Sequence, residues 1–270
     1  AYGYAGELMV REAVAQRLRP IIAGRDAEKL KPIATELSLE CRAFGVRNTG
    51  SNLQDISVLL NCAGPFSATA EPLARACLAQ QIHYLDITGE IDIFRKCHAL
   101  DEEARQQNVL ILPGAGTDIV PTDCLAAMLK EKLPVATRID LALSFGTNPS
   151  IGTVNTMIES FGKGGLIREG GMLKVVSNAF QMRKIPFQNK PQWAMTIPWG
   201  DVFTSGISTG VPDGAVYMAM PRMSIYMIRL TNPVKGILNT QFGQKITKRL
   251  AGWLMKKGPD AKALEAGRVR

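Results

Sequence analysis

Along the first 120 residues the apolar positions switch repeatedly between a helical and a strand-like period. Residues 6–18, GELMVREAVAQRL, put Leu8, Met9, Ala13 and Val14 on one side at helical spacing, which predicts a helix. RPIIAGR then gives a short apolar run closed by Gly24 and Arg25, with the length and flanks of a buried strand. DAEKLKPIATEL starts with Asp26 as a helix N-cap, so Pro32 must lie in the first turns or kink the helix. ECRAFGV alternates as a further strand. DISVLLNCAGPF is the strongest strand in the chain and is stopped by Gly64-Pro65. ATAEPLARACLAQQ reads as a helix, HYLDITGE as strand and turn, residues 92–107 as a charged helix, and VLILPGAG as one more strand. Strands that alternate with helices of this length build a parallel sheet with helices on both faces, and unbroken apolar runs suit strands buried on both sides.

From about residue 136 the pattern changes. TRIDLALSF alternates cleanly, as a strand of a half-exposed antiparallel sheet does. GTVNTMIESFGKGG, GGMLKVV and AVYMAM follow with Gly and Pro between them, and two amphipathic helices are predicted over residues 222–241 and 243–256. The expected fold class is α/β: a doubly wound parallel sheet over residues 1–135, then an α+β domain with an antiparallel sheet over residues 136–270.

Composition narrows the setting. The 270 residues are 46% apolar and 21% charged, as in a globular protein. No apolar run approaches the roughly 20 residues needed to cross a bilayer, and no signal peptide opens the chain. The cysteines (Cys41, Cys62, Cys77, Cys97, Cys124) are odd in number and never form a CxxC pair, which points to reduced thiols in a cytoplasmic protein. His83 and His98 are the only histidines, so no metal site is expected. The net charge of +8 is spread along the chain with one cluster at KKGP. That spread argues against nucleic acid and leaves an anionic membrane face or a phosphate-rich ligand such as NADP.

The first chemical signal is AYGYAG. Gly3 and Gly6 are three apart and directly precede a helix, the spacing of the last two glycines in a GxxGxxG phosphate-binding turn. There glycines let the backbone approach a pyrophosphate, and the helix N-terminus offers free N–H groups and a positive dipole end. Tyr2, Gly3, Tyr4, Ala5 and Gly6 are therefore candidate cofactor contacts. At the end of the next strand, 19 residues beyond Gly6, stands Arg25. An acidic side chain at this position would select NAD, whereas a guanidinium suits the 2′-phosphate of NADP, with Gly24 leaving room for it. The plainer alternative is a surface arginine beside a capping Asp26. In NCAGPF, Asn61, Ala63, Gly64 and Pro65 form a loop that would run under the nicotinamide half; alone, it reads equally as a Gly-Pro turn.

Taken in order, AYGYAGEL, IIAGRDAEKL, VLLNCAGPF, YLDITGE and PGAGTDIVPTD resemble the saccharopine dehydrogenase-like oxidoreductases, especially the branch with trans-acting enoyl reductases. GTVNTMIES, IPWGDVFTSGISTGVP and VYMAM resemble that branch's second domain. The resemblance implies a Rossmann NADP-binding domain followed by an α+β substrate or dimerisation domain, with a homodimer as the assembly. The family pattern has a strand and a glycine before Ala1 and continues beyond KKGP, so the Rossmann domain is expected to lack its first strand and the second domain to be incomplete.

Hydride transfer also needs a proton donor. The acid–base candidates are Asp86, Glu90, Asp118 and Asp123, each with a structural alternative as a turn-ordering or capping carboxylate. Cys62 and Cys124 read as thiols near the site or as inert cysteines. The resemblance also points to Gly152, Thr153, Trp199, Gly200 and Asp201 around a small-molecule substrate. Finally, ITKRLAGWLMKK gathers Ile246, Leu250, Trp253 and Leu254 on one face, suited to packing or to peripheral lipid contact. Two functions follow. One is an NADP-dependent oxidoreductase acting on a carbonyl, imine or enoyl group; the other is a non-catalytic or lipid-associated Rossmann scaffold or sensor.

Overall fold

The structure is a computed structural model that describes residues 1–144, 164–187 and 190–234. Gly152, Thr153, the GTVNTMIES segment and the helix expected over residues 243–256 lie outside the described residues. The chain divides into two compact units, one over Ala1–Pro121 and one from Thr122 onward.

In the first unit, α1 (Tyr4–Ala15) leads to β1 (Ile22–Gly24), α2 (Ala27–Leu37) and β2 (Cys41–Ala43). β1 and β2 pair in parallel, Ile22 opposite Cys41. Val10 of α1 and Leu30, Ile33 and Ala34 of α2 pack with Ile22 in one core. Asp26 caps α2 by accepting from the N–H groups of Glu28 at 3.1 Å and Lys29 at 3.3 Å. On the β1 edge away from β2, the Ala23 carbonyl accepts from the Ala1 amine at 2.5 Å.

A second parallel sheet joins β3 (Val58–Asn61), β4 (His83–Asp86) and β5 (Ile111–Leu112) in sequence order. Its crossovers are α3 (Phe66–Ala79), then α4 (Ile91–His98) and α5 (Asp101–Gln106). The expected single helix over residues 92–107 is thus two, parted where Leu100 turns into the core. Leu73, Ala74, Cys77 and Leu78 of α3 and Ile93 and Cys97 of α4 bury against Tyr84. Burying each large apolar side chain contributes about 1.5–3 kcal/mol, which outweighs the polar face that the helices show to solvent. Among the described residues the other face is open, leaving Val58 51% and Leu60 46% exposed.

In the second unit, α6 (Val120–Lys132), begun in the first, runs to β6 (Arg138–Leu143). Then come β7 (Gly165–Glu169), β8 (Met172–Val176), β9 (Met182–Phe187), β10 (Lys190–Ile197), α7 (Asp201–Thr209), β11 (Asp213–Ala219) and α8 (Arg222–Leu230). The sheet runs β8-β7-β11-β10-β9 with antiparallel pairs. β6 corrects one expectation. Its alternating pattern suggested antiparallel pairing, yet it lies parallel to β11, Arg138 opposite Asp213. Alternation reports which face is buried; chain direction is set by the connection.

Candidate functional site

The site is built at the carboxyl ends of the parallel strands in the first unit. α1 starts at Tyr4 with Gly3 as N-cap, extended at φ −78° and ψ 157°, and no side chain caps it. The first-turn amides of a helix have no partner within it, so this end keeps both its N–H groups and its dipole for an anion. A Cβ on Gly3 would meet nothing within 4 Å, whereas one on Gly6 would lie 2.9 Å from the Ala1 carbonyl oxygen. Gly6 therefore lets the backbone fold tightly, and Gly3 leaves space above the turn. Tyr4 is exposed and Ala5 half-buried.

The tip of β1 carries Gly24 and Arg25. A Cβ on Gly24 would stand 2.6 Å from the Tyr2 ring, so Gly24 gives Tyr2 its seat. The Lys29 ammonium lies 5.8 Å from the centre of that ring. Arg25 is exposed just beyond the strand. The Cys62 sulfur approaches that of Met9 at 3.3 Å, which brings α1 against the loop after β3.

In that loop Asn61 is buried rather than open to a ligand. Its Oδ1 accepts from the Ala63 N–H at 2.9 Å, and its amide donates to Thr69 Oγ1 at 3.2 Å and Tyr84 Oη at 3.1 Å. Thr69 donates in turn to the Ala63 carbonyl at 2.6 Å. Gly64 faces open space, and the Gly64-Pro65 bond is cis. In register, Asn61 sits opposite Asp86. The fully buried Asp86 accepts from Tyr84 Oη at 2.8 Å, Thr88 N–H at 3.0 Å and Gly114 N–H at 2.8 Å. Asp86 thus orders its turn, as its structural alternative held. Burial and the neighbouring Asp86 carboxylate push the Tyr84 phenol well above its ordinary range. Tyr84, Thr69 and Thr88 were not singled out in the sequence; the one available signal was Tyr84 standing two residues before Asp86, on the same strand face.

The remaining carboxylates separate cleanly. Glu90 stands at the start of α4, its N–H donating to Thr88 Oγ1 at 3.1 Å. Asp118 lies on an exposed loop with its Oδ2 3.7 Å from a Cβ placed on Gly89. Desolvation raises its pKa, an effect moderated by the exposure of the residue as a whole. Asp123 belongs to the second unit, where it accepts from Ser208 at 2.5 Å. Asp201 is fully buried there and accepts from Thr122 at 2.8 Å, while Trp199 is half-buried and Gly200 buried. His83 Nδ1 accepts from the Leu110 N–H at 3.0 Å, a structural role. Burial raises the Cys62 thiol, and Cys124 is exposed.

An uncapped glycine turn, a basic strand tip and a Gly-Pro loop, within one unit of parallel strands, are the parts of a dinucleotide site. Residues 1–112 match the saccharopine dehydrogenase NADP binding domain. NADP is the cofactor of that domain, and the residues present are compatible with it: a Cβ on Gly3 or Gly64 would meet nothing within 4 Å, so the backbone of both turns is open to a ligand. A saccharopine dehydrogenase-like oxidoreductase from Rattus norvegicus is 25% identical over 225 residues, 73% of this chain and 52% of that one. A "probable mitochondrial saccharopine dehydrogenase-like oxidoreductase" from Arabidopsis thaliana is 33% identical over 143 residues, covering 46% of this chain and 32% of its own. The rat protein is typical: the chain spans about half the length of the curated relatives it matches. In fold, it is similar to the saccharopine dehydrogenase (L-Glu forming) of Saccharomyces cerevisiae, with a TM-score of 0.61 and 9% identity over 86% of this chain and 56% of the other. Among the described residues, no helix is long and apolar enough to cross a membrane.

Proposed function

We propose that this chain works as an NADP-dependent oxidoreductase that moves a hydride between nicotinamide and a small carbonyl, imine or enoyl group. One observation carries the reading: the uncapped start of α1 lies in the same unit as the Gly64 loop, and residues 1–112 of that unit match an NADP binding domain. When bound, NADP supplies the hydride. The chain's own groups do the rest. The amides of Tyr4, Ala5 and Gly6 bind the paired phosphates, Arg25 holds the 2′-phosphate, and the Ala63–Pro65 loop, held by Asn61, lies along the nicotinamide half. Asp118 holds the proton for the product, because it stands beside Gly89 and desolvation raises its pKa, favouring the protonated form. The resemblance to trans-acting enoyl reductases makes an enoyl thioester the first substrate to try.

The test is a titration of the full-length protein with NADPH and NADH, followed by nicotinamide fluorescence. NADPH should bind more tightly, and Arg25→Asp should weaken it at least about tenfold, the worth of one charge-assisted contact, with little effect on NADH. Binding of neither nucleotide defeats the proposal. Equal losses for both would remove Arg25 from the 2′-phosphate.

A further inference from the structure

The hydrogen bonds around Asp86 form one buried line across the carboxyl edge of the second parallel sheet. It starts at the Ala63 turn, passes through Thr69 and Asn61 to Tyr84, reaches Asp86, and ends on the amides of Thr88 and Gly114. Each joint is fixed independently. The β3–β4 register sets Asn61 opposite Asp86. Tyr84, fully buried two residues earlier on the same strand, sends its hydroxyl into the space between them. Gly114 has φ +72°, and a Cβ there would stand 2.5 Å from the Phe94 ring and 3.1 Å from the Thr88 carbonyl oxygen, so only glycine comes close enough to donate to Asp86. The Ala115 N–H adds a bond to the Asp86 carbonyl at 2.7 Å.

The line therefore ties together three segments that are distant in sequence, namely Ala63–Pro65, Thr88–Glu90 and Pro113–Gly116. A core needs no such device. Leu73, Leu78, Ile93 and Cys97 already seal this region with apolar contacts, and every buried polar group brought into it must be paired or it destabilises the fold. What the line adds is fixed loop geometry at a sheet edge.

We propose that Asp86, Tyr84 and Asn61, with Thr69, are positioning residues that hold these three segments as a preformed floor for the nicotinamide half of NADP. The proposal rests on the NADP reading given above. It differs from it in assigning these buried groups no contact with the cofactor: they act through the loops they hold.

Tyr84→Phe removes the central hydroxyl while keeping the ring in the core. Thr69→Val breaks the line at its other end and serves if the first variant fails to fold. Each should weaken NADPH binding by the full-length protein about tenfold, the loss expected from one buried hydrogen bond and the loop freedom it releases. Binding of adenosine 2′,5′-bisphosphate, which has no nicotinamide half, should not change. A general loss of fold would weaken both probes together, so the split identifies positioning. Without any ligand, hydrogen exchange at Ala63, Thr88 and Gly114 should quicken together in Tyr84→Phe. NADPH binding left intact by both variants, equal loss of both probes, or faster exchange confined to one segment overturns the proposal. If the unaltered protein binds no NADPH, the cofactor reading falls and this proposal with it; if it binds NADPH and the variants do too, only this proposal falls.

Discussion

Asp86 accepts three hydrogen bonds in a fully buried position, whereas Asp118 hangs beside Gly89 on an exposed loop. A fully buried carboxylate held by two amides and a phenol is closed to a substrate. Desolvation raises the pKa of Asp118 and favours its protonated form, which suits it to the role of proton donor in the proposed reaction. The protonated form does the work, so the reduction rate should fall as pH rises through the raised pKa of Asp118. In Asp118→Asn that alkaline limb should disappear, and the rate should drop by about 10²–10⁴ for whichever keto, imine or enoyl probe the unaltered protein reduces. A full rate with an unchanged pH profile would release Asp118 from the role. Neither environment is written in the sequence, where both residues are aspartates near a glycine.

At the scale of elements, the parallel strands and their crossover helices were legible because each is an apolar run or amphipathic segment with its own stop signal. The misses have local causes. β9 and β10 carry Pro186 and Pro191, which face each other in register and argue against strand in the sequence. α7 is rich in Ser, Thr and Gly, poor helix formers, and is held as a helix by burying Val202, Ser205 and Thr209. β7 is interrupted by Arg168, only 4% exposed in the folded chain. Its guanidinium donates to the Val211 carbonyl at 3.1 Å, to Ser205 Oγ at 3.1 Å and to the Val202 carbonyl. Desolvation lowers its pKa, opposed by the charges of Asp213 and Asp123. Two glycines make room for it. A Cβ on Gly206 would lie 2.9 Å from the guanidinium, and one on Gly214 would lie 2.8 Å from both Arg168 Nη2 and the Ile139 carbonyl. Gly214→Ala should therefore destabilise the second unit by about 1–3 kcal/mol, read as a lower urea midpoint. An unchanged midpoint would mean that the β11 backbone yields at that point.

Over the whole molecule, stability should depend on pH through two thiols of the first unit. Burial pushes Cys77 and Cys97 from 9.0 up to about 12, with the Asp86 charge adding to the effect at Cys97. The folded chain keeps both protonated while the unfolded chain ionises them. Their contribution is complete below about pH 9 and is lost as pH rises towards 12, by about 1.4 kcal/mol per thiol for each pH unit. The urea midpoint should fall between pH 8 and pH 10, and replacing both cysteines with alanine should flatten that fall. The same slope in the double variant would assign it to other groups. Local pattern in the chain alone was enough for the alternation of parallel strands and helices in the first unit, the glycine turn before α1 and the basic tip of β1, because period, length and turn residues are local properties. Three features emerge from the folded chain alone: β6 runs parallel to β11, Arg168 is buried, and Asn61, Tyr84 and Asp86 share one hydrogen-bonded line. Those depend on register and burial, which bring together groups far apart along the chain and leave no periodic trace in any one segment.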